Sequence, residues 1–346
     1  MLTLQRTPLP ETPYPVVPVD RSERGLFSLG SYPFWLRKFE EIRQQFGICA
    51  ILNGHLGFAK VSWLFKHWRP HVRYGIFFHG LDILKERQKG RRNPWKRYRF
   101  RAMVQSADLC ITNSHFTARL LRSLVPQSPQ VVVIYPSIDP QVFRPLAQPK
   151  EALRRRLGLP QKATLLLYVG RAIRRKGLDL LIQVLRDLPE SYILVVVGPG
   201  NFEPYRSLAH QEGVLSRVVF RGYVTDEDLV AYYNAVDLFV MPVRQDPRDV
   251  EGFGFVYLEA NACGTPVIGT RVGGVPEAIE EGVNGLLVEP DQPKALRDAI
   301  LRLTQDSSSS QTLAEQGRKR VLEHFQWTQQ AKLLREAYQR LCESSR

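Results

Sequence analysis
The chain has 346 residues, 44% of them hydrophobic and 24% charged, the balance of a soluble globular protein long enough for two ordinary domains. No apolar run approaches the roughly 18 residues that span a bilayer, and the opening, punctuated by Pro8, Pro10, Pro13, Pro15 and Pro18, is not a basic segment followed by an apolar core; neither a membrane span nor a secretory signal is expected, and the expected location is cytoplasmic. The net charge of +14 lies wholly in the first half, where residues 1–150 hold 23 Lys and Arg against 9 Asp and Glu, while residues 151–346 hold 25 of each.

In chain order, "MLTLQR" reads as a short strand and "YPVVPV" as a second. Pro33 opens an amphipathic helix through "FWLRKFEEIRQQF". "GICAILNGH" is a buried strand ending in a polar turn, a helix follows over residues 58–67, and "VRYGIFFHG" is another buried strand. Apolar strands alternating with helices predict a parallel, doubly wound α/β sheet. His79 falls just past the carboxyl end of its strand, where open α/β sheets bind ligands, although a lone histidine in a turn is more often structural. His55, in "NGH", is a weaker candidate of the same kind.

Residues 85–101, "KERQKGRRNPWKRYRFR", hold nine basic residues and one acid, interleaved with Trp95, Tyr98 and Phe100. A solvated helix face competes here with an anionic membrane surface, an acidic acceptor or nucleic acid; the last is least favoured, because no nucleic-acid module is recognisable. "ADLCITNSHFTARLL" is a strand and a polar turn in which Asn113 and Ser114 are available to cap the next helix. "VVVIYPSIDPQVFRP" closes this half, and a connector rich in Pro and Gln near residues 144–150 leads into the next.

"ATLLLYVGRAIRRKGLDLLIQVL" is strand, basic loop and helix; Arg171 and Lys176, at the two ends of the loop, can converge on a diphosphate, or be ordinary surface cations. "YILVVVGPG" is a buried strand whose Gly198 and Gly200 read as a turn. "RVVFRGYVTDEDLVAYYNAVDLFVMP" is strand, loop, helix and strand. In "EGFGFVYLE", Gly252 and Gly254 let the backbone approach a ligand, and the helix from Phe255 aims its unpaired amides at it, which favours an anion such as phosphate. Glu251 and Glu259 would repel a phosphate directly and suit neutral groups beside it. Sugar hydroxyls fit, so a diphosphate carrying a hexose at one end and a ribose at the other, a nucleotide sugar, is one reading; a plain strand-to-helix turn with both acids solvated is the other. Gly264 then reads as a C-cap with Pro266 beyond it, "PVIGT" as a buried strand, and Gly273 and Gly274 as a helix start. "FQWTQQAKLLREAYQRL" is an amphipathic terminal helix. Cys49, Cys110, Cys263 and Cys342 show no CxxC or Cys/His spacing, so neither a disulfide framework nor a zinc site is expected.

The stretch "EGFGFVYLEANACGTPVIGTRVGGVPEAI" resembles the donor-site signature of the retaining nucleotide-sugar glycosyltransferases of family 4, and a weaker likeness runs from about Ile48 to Trp327. The resemblance implies a GT-B fold, two Rossmann-like doubly wound domains facing a central cleft: residues 1–147 for the acceptor, 148–326 for the donor, and 327–346 as a helix crossing back to the first domain. It also implies Arg171 and Lys176 as the diphosphate clamp, residues Gly222, Tyr223 and Val224 as the seat of the base, and Gly252, Phe253, Gly254 and Phe255 as the anion-binding turn. Glu251 would hold the hexose, Glu259 the ribose, and His79 a hydroxyl of the sugar or acceptor. The expected activity is metal-independent hexosyl transfer with retention from a UDP- or GDP-sugar, without a further cofactor, to a sugar or lipid-linked acceptor. A non-catalytic, partner-dependent sugar-nucleotide-binding subunit is the alternative, and an epimerase on the same fold is less favoured. A full member of the family opens with a strand, a Gly-Gly loop and a helix, a unit that is not recognisable here because "MLTLQRTPLP" resembles the second strand.

Overall fold
The structure, a computed structural model, describes residues 2–4, 17–19, 32–54 and 56–343. Strands β1 (Leu2–Leu4) and β2 (Val17–Val19) pair in parallel as a separate two-stranded sheet. Helix α1 (Tyr32–Phe46) buries Trp35 and Phe39 on one face, the i, i+4 spacing its sequence pattern predicts.

A four-stranded sheet follows, with its strands in sequential order. It comprises β3 (Ala50–Asn53), β4 (Arg73–Phe78), β5 (Leu109–Thr112) and β6 (Val131–Val133), all parallel. Crossovers are made by α2 (Leu56–Trp68), by the hairpin of α3 (Leu81–Arg92) and α4 (Pro94–Gln105), and by α5 (His115–Leu124). Asn93 ends α3 in an extended conformation and its side chain accepts the Lys96 amide, so one residue both stops α3 and caps α4.

The second sheet has six parallel strands. Along the chain come α6 (Lys150–Arg156), β7 (Thr164–Val169), α7 (Leu178–Arg186), β8 (Tyr192–Val197), α8 (Glu203–Gln211), β9 (Val218–Gly222), α9 (Asp226–Ala235) and β10 (Leu238–Val240). Then follow α10 (Phe255–Ala262), β11 (Val267–Thr270), α11 (Val275–Ala278), β12 (Leu286–Val288), α12 (Pro293–Gln305), α13 (Ser307–His324) and α14 (Trp327–Glu343). Its strand order is β12-β11-β10-β7-β8-β9, so the winding reverses between β7 and β10. At such a reversal the two loops leaving the carboxyl ends diverge and open a crevice, the usual ligand site of open α/β sheets.

The parallel α/β architecture expected from the sequence is therefore present in both sheets, with the reversal of a doubly wound sheet lying in the second. Helix α14 returns to the first of them: Ala337 and Leu341 pack with Ala50, Leu109, Ile111 and Ile134, and the Tyr338 hydroxyl donates to the Ala50 carbonyl at 3.1 Å. The four cysteines are free and divide by exposure. Cys110 and Cys263 are buried, but Cys49 is exposed, and its Sγ lies 2.9 Å from that of Cys342, which α14 carries across the fold. Among the described residues, no helix is long and apolar enough to cross a membrane.

Candidate active site
The crevice between β7 and β10 is where charge concentrates. The loop leaving β7 tightens into a 3-10 turn, Arg174–Lys176, stopped by Gly177 in the left-handed region. That turn sends Lys176 inward, where its Nζ lies 2.7 Å from Glu251 Oε2. Arg175 joins it: Nη1 bonds to the same Glu251 oxygen, and Nε lies 3.0 Å from Asp249 Oδ2. All three side chains on Glu251's side of the cluster are nearly closed to solvent, at 7% exposure for Arg175, 12% for Lys176 and 13% for Glu251. Burial by itself would raise the Glu251 pKa, but the charges of Lys176 and Arg175 outweigh it and hold the carboxyl below its ordinary range.

Arg171 is not brought to this cluster. It stands exposed where the loop leaves Gly170 and forms no ion pair among the described residues. Of the two expected clamp residues the structure thus joins only Lys176 to Glu251, and Arg175, which the sequence did not single out, occupies the second cationic position. Gly198 and Gly200 do more than turn the chain, since a Cβ on either would collide with the Gly170–Ala172 loop that carries Arg171.

The glycine turn sits directly against the first sheet. A Cβ on Gly252 would lie 2.5 Å from the His79 carbonyl oxygen and 2.8 Å from Asn113 Nδ2, so only glycine permits this approach. Gly254, at φ 98°, starts α10 in a conformation that other residues rarely adopt. Ser114 secures the contact: its Oγ donates to the Gly252 carbonyl at 2.6 Å and accepts the Thr117 amide at 3.0 Å, so one hydroxyl caps α5 and holds the loop. From the second sheet's side, Glu277 accepts the amides of His115 and Phe116, each at 2.7 Å, satisfying two otherwise unpaired donors at the start of α5. Gly273 and Gly274 start the short α11 as expected, and the Gly274 amide also donates to the Glu251 carbonyl at 2.9 Å.

His79 is exposed at the end of β4, its ring stacked on Phe77 and its Nε2 3.2 Å from the Gly54 carbonyl oxygen. Phe253 is buried between Tyr135 and Phe325, at centroid distances of 5.4 and 5.7 Å, so its side chain welds the two halves and only its backbone can serve a ligand. Phe255 is partly exposed at the first position of α10. Gly222 ends β9 with φ 68°, Tyr223 projects with 79% exposure, and Val224 leads toward α9. His55 lies outside the described residues. An Asp-x-Asp motif, expected to be absent, is present as Asp226-Glu227-Asp228, which forms the first turn of α9 under a Thr225 cap.

Glu259, one helical turn beyond Phe255, is 6% exposed and accepts a 2.6 Å hydrogen bond from the Tyr233 hydroxyl. Burial pushes its pKa up to about 7, with the charge of Asp226 adding to the rise and the Tyr233 bond opposing it. Between the ordinary value of 4.5 and about 7 the native state therefore holds a proton that the unfolded chain has released. Folding stability should fall as pH rises through that window, by about 3 kcal/mol at most. Urea unfolding at pH 5, 6 and 7 checks this: the Glu259→Gln variant should show the shallower dependence, and parallel curves would remove the raised pKa.

Residues 149–320 match the family described as glycosyl transferases group 1, and residues 2–142 match glycosyltransferase family 4. A D-inositol 3-phosphate glycosyltransferase of Corynebacterium urealyticum is 32% identical over 301 residues, covering 82% of this chain and 69% of that protein. A GDP-mannose-dependent alpha-(1-6)-phosphatidylinositol monomannoside mannosyltransferase of Mycolicibacterium smegmatis is 32% identical over 240 residues, covering 68% and 63%. Among solved structures, sucrose-phosphate synthase from Thermosynechococcus elongatus superposes with a TM-score of 0.77 at 29% identity, over 94% of this chain and 81% of that one. This chain spans about 60% of the length of several curated relatives it matches, between 58 and 63%.

Proposed function
The chain belongs to the group 1, family 4 glycosyltransferases of GT-B fold, and from that premise we propose that it transfers a hexose, with retention, from a nucleotide diphosphate sugar to an acceptor hydroxyl. The observation that carries the proposal is the meeting of Lys176, Arg175 and Glu251 at the β7/β10 switch point, with the glycine turn pressed against His79 of the facing sheet. In this reading the donor diphosphate occupies the mouth of the crevice, where Lys176, Arg171 and the amides at the start of α10 balance the charge that grows as the sugar leaves. Preorganised electrostatics of this kind often dominate catalysis. The bond from the anomeric carbon to the phosphate oxygen breaks, the acceptor oxygen bonds to that carbon on the same face, and the acceptor proton passes to a donor phosphate oxygen. Glu251 orients the hexose, Glu259 the ribose, His79 a hydroxyl of the sugar or acceptor, and residues 222–224 the base. The cations supply the counter-charge, so no metal is invoked.

Two relatives, by their names, act on inositol phosphate or a phosphatidylinositol mannoside, one with GDP-mannose. With the net positive charge arising in residues 1–150, this favours an anionic or lipid-linked acceptor and, for the donor, GDP-mannose ahead of UDP-glucose. The test is turnover and thermal shift with UDP- and GDP-sugars, with the product anomer read by NMR and a chelator added in parallel. Donor binding without turnover in the presence of anionic acceptors would favour the partner-dependent subunit. Inversion would refute retention, and loss of activity to the chelator would turn attention to Asp226 and Asp228. Lys176→Ala should weaken binding of the free nucleoside diphosphate by about 1.5 to 3 kcal/mol, the worth of a charge-assisted bond, and Arg171→Ala by less, given its exposure. Calorimetry decides; unchanged affinity in both would remove the clamp.

The tip of the α3–α4 hairpin supports peripheral attachment at the inner face of the cytoplasmic membrane. Residues 91–98 are all exposed, and Trp95 and Tyr98 stack at 5.5 Å among Arg91, Arg92 and Arg97. Each cation near an anionic bilayer contributes about 1 kcal/mol, and the rings suit its interface. Co-sedimentation with anionic vesicles should fall at 1 M salt, where screening shortens the reach of charge to about 3 Å. It should fall likewise in an Arg91→Gln, Arg92→Gln, Arg97→Gln variant; equal sedimentation of both proteins would leave the tip as a solvated face.

A further inference from the structure
Behind that tip, on the inner side of the hairpin, α2, α3 and α4 form a second site open to solvent on one side. A cavity of about 180 Å³ is lined by Lys60, Trp63, Glu86, Lys89, Lys96, Arg99, Phe100 and Met103. Helical periodicity assembles it: Lys96, Arg99, Phe100 and Met103 share one face of α4, and Lys60 and Trp63 lie one turn apart on α2. The approach is close, since a Cβ on Gly90 of α3 would come within 2.9 Å of Arg97.

Four cations thus face one acid, and that acid is already engaged, with Glu86 Oε1 2.6 Å from Lys89 Nζ. Lys60, Lys96 and Arg99 form no ion pairs among the described residues. Lys60 is half-buried at the base of the cavity, and its pKa is lowered, first by burial and then by Lys89, Arg99 and Lys96, with Glu86 opposing. Lys89 and Lys96 reach solvent, but Lys60 and Arg99 are only partly exposed, and without an anion the repulsion among these like charges costs stability there. Phe100 and Met103 are buried and Trp63 half-buried, so beside the charges the cavity presents an apolar wall. Convergent charge on an apolar lining is the make-up of a ligand site rather than of a water-exposed helix face.

We propose that this cavity binds a phosphate group, as a free phosphate or as the headgroup of a lipid whose chain leaves along Trp63, Phe100 and Met103. The site is separate from the donor crevice, and its occupancy does not depend on the transferase reading, because binding is measured with no nucleotide sugar present. Calorimetry on the full chain would use inorganic phosphate and, below its micelle concentration, dihexanoyl phosphatidate, with dihexanoyl phosphatidylcholine as the control for the chains. Saturable one-to-one binding is expected, with affinity at least ten-fold lower in Lys60→Met and in Arg99→Gln. An Arg91→Gln, Arg92→Gln variant, which removes two charges from the exposed tip against one in each cavity variant, should stay within two-fold of the parent. Lys60→Met should also unfold at the same temperature or higher without phosphate, which separates lost binding from lost fold. Phosphatidate binding tighter than phosphate identifies a lipid headgroup, and equal affinities identify the phosphate group alone. No saturable binding of either, or equal losses in the cavity and tip variants, would overturn the site.

Discussion

Glu251→Gln is expected to lower turnover by on the order of 10²-fold, the cost of misplacing a reacting sugar, while the free nucleoside diphosphate binds at least as tightly as to the parent chain. The asymmetry follows from the resting geometry. Glu251 holds both Lys176 and Arg175 through one carboxylate oxygen, so before a donor arrives the negative charge that these cations face is the protein's own. A neutral amide at residue 251 leaves them under-compensated, and an incoming diphosphate then meets more positive potential. The lost carboxylate was, in the proposed chemistry, the acceptor for hexose hydroxyls, and a correctly bound diphosphate carrying a poorly held sugar reacts slowly. Calorimetry with the nucleoside diphosphate and initial rates with the sugar nucleotide separate the two effects. Should affinity and turnover fall together by similar factors, Glu251 would be part of the diphosphate site and not of the hexose site.

The parts of this arrangement that were legible in the sequence are those set by local pattern. Runs such as "LLLYV" and "ILVVV" are buried on both faces and became β7 and β8 of a parallel sheet. The Ser114 cap was readable from a polar residue ahead of an amphipathic run, and the start of α10 at Phe255 from the two glycines. What was not legible depends on strand order. Arg175 meets Asp249 and Glu251 only because β10 lies next to β7, a neighbour relation that no local spacing encodes. The same holds for Glu277 at the start of α5, 162 residues from His115, and for Cys49 beside Cys342, 293 residues away. Arg171 shows the converse: a spacing of five residues placed it and Lys176 at the two ends of one loop, but the 3-10 turn directed only Lys176 into the crevice. Spacing shows which residues can converge, and the turn between them decides which do.

Arg175→Leu is expected to destabilise the fold by about 3 kcal/mol, the low end of what breaking a buried ion pair costs, and to do so far more than any exposed arginine replacement. The low end applies because Lys176 still faces Glu251 after the change, whereas Asp249 loses the cation 3.0 Å from it. Arg175 is 7% exposed and its guanidinium bridges two carboxylates, so a lysine there, with a single point of charge, should recover only part of the loss. The cost resides in the stranded Asp249 carboxylate rather than in the worth of the pair. Arg175→Leu combined with Asp249→Asn, which keeps the Lys176–Glu251 pair, should therefore be more stable than Arg175→Leu alone, a sign that simple loss of packing does not produce. Denaturant unfolding of the single and double variants makes the comparison, with binding of the nucleoside diphosphate measured on each. A loss below about 1 kcal/mol for the single change, the range of solvent-exposed pairs, would mean that water reaches the cluster and that Arg175 is no more than a surface cation.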